Sequence, residues 1–478
     1  MATDSMTWTP TQRWVLALTG AASLLVVLDS LVVSTALSAI RLDLAASVED
    51  LEWTVNAYVL SFAVLLMTAV TVGDRLGRRR VFAAGLGLFA AASVACALAT
   101  NVEWLIAARA VQGGGAAFVM PLALAQVTAA FPPESRPKAL GIFTALTGAA
   151  VPLGALVGGA VVEGISWQWI FWLNVPVGTG LVALARVHLD ESFGPPRPVD
   201  VPGVVLVSGA ALGVLWALVR GNPVGWTSTE VLAALAGGLL LGVDFVAWEL
   251  RARGPMLPMR LFRGRGFAAG NAAIFLLWGS ALGSLFFMAQ FLQTAAHHGP
   301  LGAGVRLVPW GATTFIVPAI AGSLVPRFGE RPFIAAGTAL HAVALAWIAL
   351  VAEPDLGYVQ LVLPLVLSGA GVAMASPATQ SSVLSAVAPA DIGSASGTYS
   401  TLRQLGGAFG VAVVVAVFTT TGSYASAPTF TDGFAPAMGA CAALSLAGTA
   451  TGLALPRRRH LAEEATTPPV AALDATAG

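Results

Sequence analysis

Gly73-Asp74-Arg75-Leu76-Gly77-Arg78-Arg79-Arg80 is a polar island between two apolar runs, 53–72 and 81–100. Each run has about the 20 residues that a helix needs to cross a bilayer core of about 30 Å. Backbone groups cannot go unpaired in lipid, so helices are the default conformation for such runs. The island returns in altered form: Val325-Pro326-Arg327-Phe328-Gly329-Glu330-Arg331 also closes one apolar run and opens the next. Gly77 and Gly329 are 252 residues apart. A second pair of motifs, Pro132-Pro133-Glu134-Ser135-Arg136 and Ala388-Pro389-Ala390-Asp391-Ile392-Gly393, repeats at nearly the same offset, with Pro133 and Pro389 256 residues apart. Two offsets that agree predict two homologous halves of six helices each.

Outward from the island, apolar runs recur at 14–38, 103–126, 139–162, 169–187, 201–220, 230–250, 267–293, 301–325, 332–352, 357–378, 395–419 and 434–455. The expected fold is therefore an all-α membrane protein of 14 transmembrane helices. Its parts are an N-terminal six-helix bundle (1–190), two linking helices with cytoplasmic loops (191–265), a C-terminal six-helix bundle (266–456) and a disordered cytoplasmic tail (457–478). Composition agrees, with 57% hydrophobic and 10% charged residues, where soluble domains carry about 25% charge. The first run is longer than the roughly 7 to 15 apolar residues of a signal peptide, so a spanning helix is expected there. Cys96 and Cys441 both sit in apolar runs and read as small buried hydrophobes, and no metal site is expected.

Charge placement orients the chain. Nineteen of the 24 Lys and Arg residues fall in the connections of one side, from Arg13 and Arg75 through Arg251 and Arg265 to Arg457–Arg459. Cationic loops stay cytoplasmic, which places both termini in the cytoplasm. Parallel six-helix halves recur in secondary transporters with a midplane binding site. No Walker motif, zinc signature or catalytic triad spacing is present, so neither an enzyme nor a nucleic-acid partner is expected.

The chain resembles the major facilitator superfamily, and within it the fourteen-helix drug:proton antiporter branch. Gly73 through Arg80 resembles the family's loop 2–3 signature, Arg109-Ala110-Val111-Gln112-Gly113-Gly114-Gly115 its helix 4 signature, and Gly148 through Gly159 its antiporter-type helix 5 signature. Leu28-Asp29-Ser30-Leu31-Val32-Val33, Trp53-Thr54-Val55-Asn56-Ala57-Tyr58, Trp167 through Gly178 and Arg403-Gln404-Leu405-Gly406-Gly407 resemble the branch in particular. Three positions depart from the family pattern: Val70 and Ala155 stand where glycine and proline are usual, and Gln168 where arginine is usual. The resemblance implies proton-coupled export of small amphipathic or hydrophobic molecules, such as drugs, antibiotics and secondary metabolites, across the cytoplasmic membrane. A uniporter or a proton symporter for a specific metabolite is the alternative. Small-molecule substrate, protons and the lipid bilayer are the expected partners, with no cofactor and a monomeric chain.

Individual residues carry these expectations. Asp29 lies midway along helix 1, where a carboxylate costs about 2.5–3.5 kcal/mol and so needs a partner or water. It reads as a proton site or as a counter-charge for cationic substrate, with Arg109 as its expected partner by resemblance. Asp74, Arg75, Gly77, Arg78 and Arg79 form the expected cytoplasmic gate, the carboxylate bonding to a helix N-terminus or a nearby arginine. Gly148, Pro152, Gly154, Gly158 and Gly159 mark a helix able to slide against close neighbours. Asn56, Tyr58, Gln112 and Arg403 are assigned to the substrate cavity. Asp244, deep in helix 8, has no assigned role.

Overall fold

A computed structural model describes residues 8–456, apart from 133–134, 195–197, 355 and 389–390. The expected tail, Arg197 and parts of the second repeated motif pair lie outside the described residues. The first half runs α1 (Pro10–Asp43), α2 (Val48–Leu76), α3 (Arg78–Ala97), α4 (Val102–Ala130), α5 (Arg136–Gly148), α6 (Ala150–Gly164), α7 (Trp169–Trp172) and α8 (Asn174–His188). A hairpin of α9 (Val201–Val224) and α10 (Thr229–Glu249) follows. The second half holds α11 (Arg265–Thr294), α12 (Pro300–Phe328), α13 (Glu330–Val351), α14 (Tyr358–Ser385), α15 (Ile392–Thr421) and α16 (Ala427–Leu453). Among the described residues, twelve helices are long and apolar enough to cross a membrane, α7 and α8 counting as one.

Two of the expected spans are broken by proline. Pro152 has no N–H for the Gly148 carbonyl, and α5 ends at Gly148. Pro176 stands in the same relation to Trp172, where α7 ends. Ala149 and Leu173 keep right-handed helical angles, so each pair of segments continues as one bent rod. Elsewhere the helix starts are encoded locally. Thr9, Ser47 and Ser426 form reciprocal capping boxes, and Asn101, Asp200 and Ser228 cap α4, α9 and α10.

Within the first half, α4 packs between α2 and α3, and α1 lies against α6. In the second half α11 lies against α15 and α16, while α13 bridges α14 and α16. Absent side chains let backbones meet: a Cβ on Gly115 would stand 2.6 Å from the Phe89 nitrogen. The halves meet along two seams, α2 against α15 and α6 against α12. The α9–α10 hairpin is peripheral, with 17% of the apolar window of each helix buried against 61% in α1. Its α9 packs on both α2 and α15. Asn222 Nδ2 donates to Thr419 Oγ1 at 2.7 Å on α15, and Arg220 lies 4.0 Å from Glu49 on α2. Asp244 is exposed on α10, five residues from the helix end.

Candidate functional site

Asp29 is 2% exposed and Arg109 1% exposed. Arg109 Nη1 donates to Asp29 Oδ2 at 2.7 Å and to Gln112 Oε1 at 2.7 Å. Gln112 Nε2 donates in turn to Asp29 Oδ1 at 3.0 Å and to Ser93 Oγ at 2.8 Å. Asn174 Nδ2 donates to the same Asp29 oxygen at 2.6 Å. The third guanidinium contact is Arg109 Nε to the Thr54 carbonyl at 3.3 Å. The aspartate thus accepts three hydrogen bonds, drawn from α4 and α8. A buried ion pair offsets its desolvation only when such further bonds satisfy its remaining lone pairs.

Helix geometry explains the convergence. Arg109 and Gln112 are three residues apart, hence on one face of α4. Asn174 is the first residue beyond the Pro176 bend, where the rod turns toward α1 and α3. Ser93 and Asn174 were not singled out from sequence. An amide side chain near the start of the largely apolar 169–187 run is the available signal for Asn174.

Tyr58 links this cluster to the space between the halves. Its ring centre lies 4.1 Å from the Arg109 guanidinium carbon, and its hydroxyl donates to the Val26 carbonyl at 3.2 Å. The same side chain lines a cavity of about 100 Å³ between the halves, with Phe62, Trp278, Phe286, Trp310 and Arg403 among the other wall residues. Of the four residues expected in the cavity, Tyr58 and Arg403 are in its wall. Asn56 is fully buried and donates to Glu52 Oε1 at 3.2 Å, and Gln112 is taken up by the Asp29 cluster.

The expected gate residues gather at one end of the bundle. Arg78 Nη2 lies 2.7 Å from Asp74 Oδ1, one helical turn away across the α2–α3 corner. Gly77 makes that corner at φ 106°, a region closed to most side chains. The corner is stapled by the segment after α8. Arg78 N donates to the Ser192 carbonyl at 2.9 Å, Gly194 N to the Asp74 carbonyl at 3.1 Å, and Arg79 N to Glu191 Oε1 at 2.9 Å. Three arginines in the first turn of α3 oppose the helix dipole, and Glu191 supplies the missing negative charge there. Sequence reading missed Glu191. Beside the corner, a cavity of about 700 Å³ is bounded by Asp74, Arg78, Asp200, Arg253, Arg260 and Asp391. Arg260 grips Asp391 through both carboxylate oxygens, at 2.9 and 2.5 Å.

The glycines of the fifth run face close neighbours. A Cβ on Gly154 would stand 2.9 Å from Leu31 Cβ, and one on Gly158 would strike Thr35 Oγ1. One on Gly159 would stand 2.5 Å from the Pro300 carbonyl of α12, whereas Gly148 has only Phe315, at 3.8 Å. The α6–α12 seam is therefore tightest near 159–163 and loosens toward 148. Glu163 Oε2 accepts from Leu301 N at 2.9 Å at the tight end, where Gln293 Nε2 also donates across the halves to the Thr35 carbonyl at 3.1 Å. The side chain of Pro152 lies outside the described residues.

A polytopic helical bundle with a cavity between two halves and a buried ion pair beside it is the architecture of a membrane transporter. The profile of the Major Facilitator Superfamily matches residues 19–411, and the chain belongs to that family. It is 37% identical over 427 residues to the cephamycin export protein of Amycolatopsis lactamdurans, covering 88% of this chain and 86% of the relative. It is 34% identical over 397 residues to the tetracenomycin C resistance and export protein of Streptomyces glaucescens, covering 82% and 73%. A crystal structure of a POT family transporter in complex with a thioalcohol-conjugated peptide shares the fold at a TM-score of 0.71 and 12% identity, covering 91% of this chain and 94% of that one.

Proposed function

We propose that this chain exports small amphipathic molecules across the cytoplasmic membrane in exchange for protons, by alternating access of the cavity between its two halves. The observation that carries the reading is the Asp29–Arg109 pair, sealed from the cavity by the Tyr58 ring. A proton arriving at Asp29 removes the charge that holds Nη1 of Arg109. The guanidinium then keeps the Gln112 and Thr54 oxygens and the face of Tyr58. Tyr58 belongs to both the pair and the cavity wall, so a shift of Arg109 reaches the substrate space directly.

The same reading takes α12 and the bent α5–α6 rod as two further crossings, giving fourteen. Arg75, Arg78–Arg80 and Arg260 then mark the cytoplasmic end and both termini lie inside. The tight α6–α12 contact near Glu163 and the Gln293–Thr35 bond support a closed outer end and hence an inward-facing conformation. The Asp74–Arg78 corner is the part that would re-engage the second half when the inner end closes. The transporter works as one chain in two six-helix halves, 1–190 and 266–456, with 191–265 between them.

The energetics suffice. A pH difference of one unit is worth about 1.4 kcal/mol, and 100 mV about 2.3 kcal/mol per charge. Together they sustain a gradient of roughly five-hundredfold for a neutral substrate exchanged with one proton.

Efflux of lipophilic dyes from energised vesicles tests the reading in wild type, Asp29→Asn and Arg109→Ala, with and without a protonophore. Collapse of efflux with the protonophore and in both variants is expected. Efflux that survives all three would leave facilitated diffusion, and substrate movement in the same direction as protons would leave a symporter.

A further inference from the structure

Among the described residues, two buried donors in the cavity wall have no acceptor. Nε of Arg403 and Nε1 of Trp278 each lack a hydrogen-bond partner, and the guanidinium carbon lies 4.7 Å from the centre of the indole ring. Among the described residues no carboxylate lies within ion-pair distance of Arg403. Among the described wall residues Arg403 is also the only charged one. Asp29 cannot serve it, because its charge is matched by Arg109 behind Tyr58. Guanidinium does not shed its proton in proteins, so Arg403 cannot escape by neutralising. A cation and an adjacent N–H buried in one cavity wall without acceptors, with the rest of the wall mostly apolar, are matched by an oxyanion that arrives with the ligand.

We propose that Arg403 and the Trp278 indole N–H are the anion subsite of this cavity, and that the substrate is an amphipathic organic acid with a carboxylate or similar oxyanion on an apolar body. The inference rests on the reading that this cavity takes the substrate. Phe62, Phe286, Trp310 and Val372 supply the apolar surface for the body. The planar fork of Arg403 can take both oxygens of a carboxylate, which a lysine cannot reproduce. Exchange of a monoanion leaving for a proton entering moves two charges, so transport of such a substrate responds twice as steeply to membrane potential as that of a neutral one.

Binding to the full chain in lipid nanodiscs, without any gradient, separates this inference from proton coupling. The probes are 1-naphthylacetate, its primary amide and 1-naphthylmethyl-trimethylammonium, measured by equilibrium dialysis. The acetate is expected to bind wild type at least tenfold more tightly than the amide, and the cation least. Arg403→Gln should bring the acetate down to the amide's affinity while the amide stays within twofold, which also reports an intact cavity. Arg403→Lys should keep part of the preference, and Trp278→Phe should weaken the acetate severalfold. Equal affinities in wild type, tightest binding of the cation, no detectable acetate binding, or a preference that survives Arg403→Gln would each overturn the proposal. Loss of proton coupling in the vesicle assay, with the acetate preference intact, would instead remove the exchange mechanism alone.

Discussion

The guanidinium of Arg109 lies on one face of the Tyr58 ring, 4.1 Å from its centre, and that ring is part of the cavity wall. One aromatic side chain therefore touches both a buried ion pair and the space between the two halves. Changes on either side of it have consequences for the other.

Asp29→Asn leaves Arg109 buried without its counter-charge. The expected cost is about 3–5 kcal/mol of stability, because breaking one member of a buried pair is worse than lacking the pair. Thermal unfolding of purified protein checks this. The double variant Asp29→Asn/Arg109→Gln should recover most of that loss and still fail to couple transport to protons, which divides the structural from the coupling role.

Tyr58→Phe removes the hydrogen bond to the Val26 carbonyl but keeps the ring over Arg109. Export should persist within a few fold. Tyr58→Ala removes the ring as well and should reduce export at least tenfold. Equal defects in the two variants would show that the hydroxyl, not the ring, matters.

Glu191→Gln takes the negative charge from the first turn of α3, where Arg79 and Arg80 approach it at 3.7 and 3.5 Å. A loss of about 0.5–2 kcal/mol is expected, in the range of lost helix caps. Gly77→Ala at the same corner meets a φ of 106° and a Cβ 2.7 Å from the Glu191 carboxyl. It should cost about 1–3 kcal/mol. Melting temperatures of both variants are the measurement.

Gly159→Leu inserts a side chain where a Cβ alone would stand 2.5 Å from the Pro300 carbonyl. The tight end of the α6–α12 seam must part, shifting the population toward the opposite-facing state. A reporter Ser34→Cys in the cavity wall should then react faster with an impermeant thiol reagent added from outside. Cys96 and Cys441 are both buried and contribute little background. An unchanged rate would count against the seam as the outer closure.

Much of this was legible in sequence because it depends on composition along the chain. Apolar runs, the 252-residue offset and the cationic corner at Arg78–Arg80 are read from order alone. The meeting of Asp29 with Arg109 was anticipated from a resemblance and is present in the structure. What escaped is what only packing decides. Asn174 reaches Asp29 because Pro176 bends its helix, and Glu191 reaches Arg79 because the chain after α8 folds back on the α2–α3 corner. Neither depends on a spacing that can be counted. Asn56 shows the converse: its place in a motif suggests a cavity role, but its side chain is buried and its amide nitrogen donates to Glu52, four residues earlier on the same helix.

The α9–α10 hairpin packs over the seam between α2 and α15, and Asn222 fastens it to α15. Molecules dissolved in the lipid leaflet therefore meet a covered wall on that flank. On the opposite seam, of α6 against α12, no such hairpin intervenes among the described residues, and a Cβ on Gly148 would meet Phe315 at an ordinary contact distance of 3.8 Å. The added helices thus shield one of the two seams along which the halves meet.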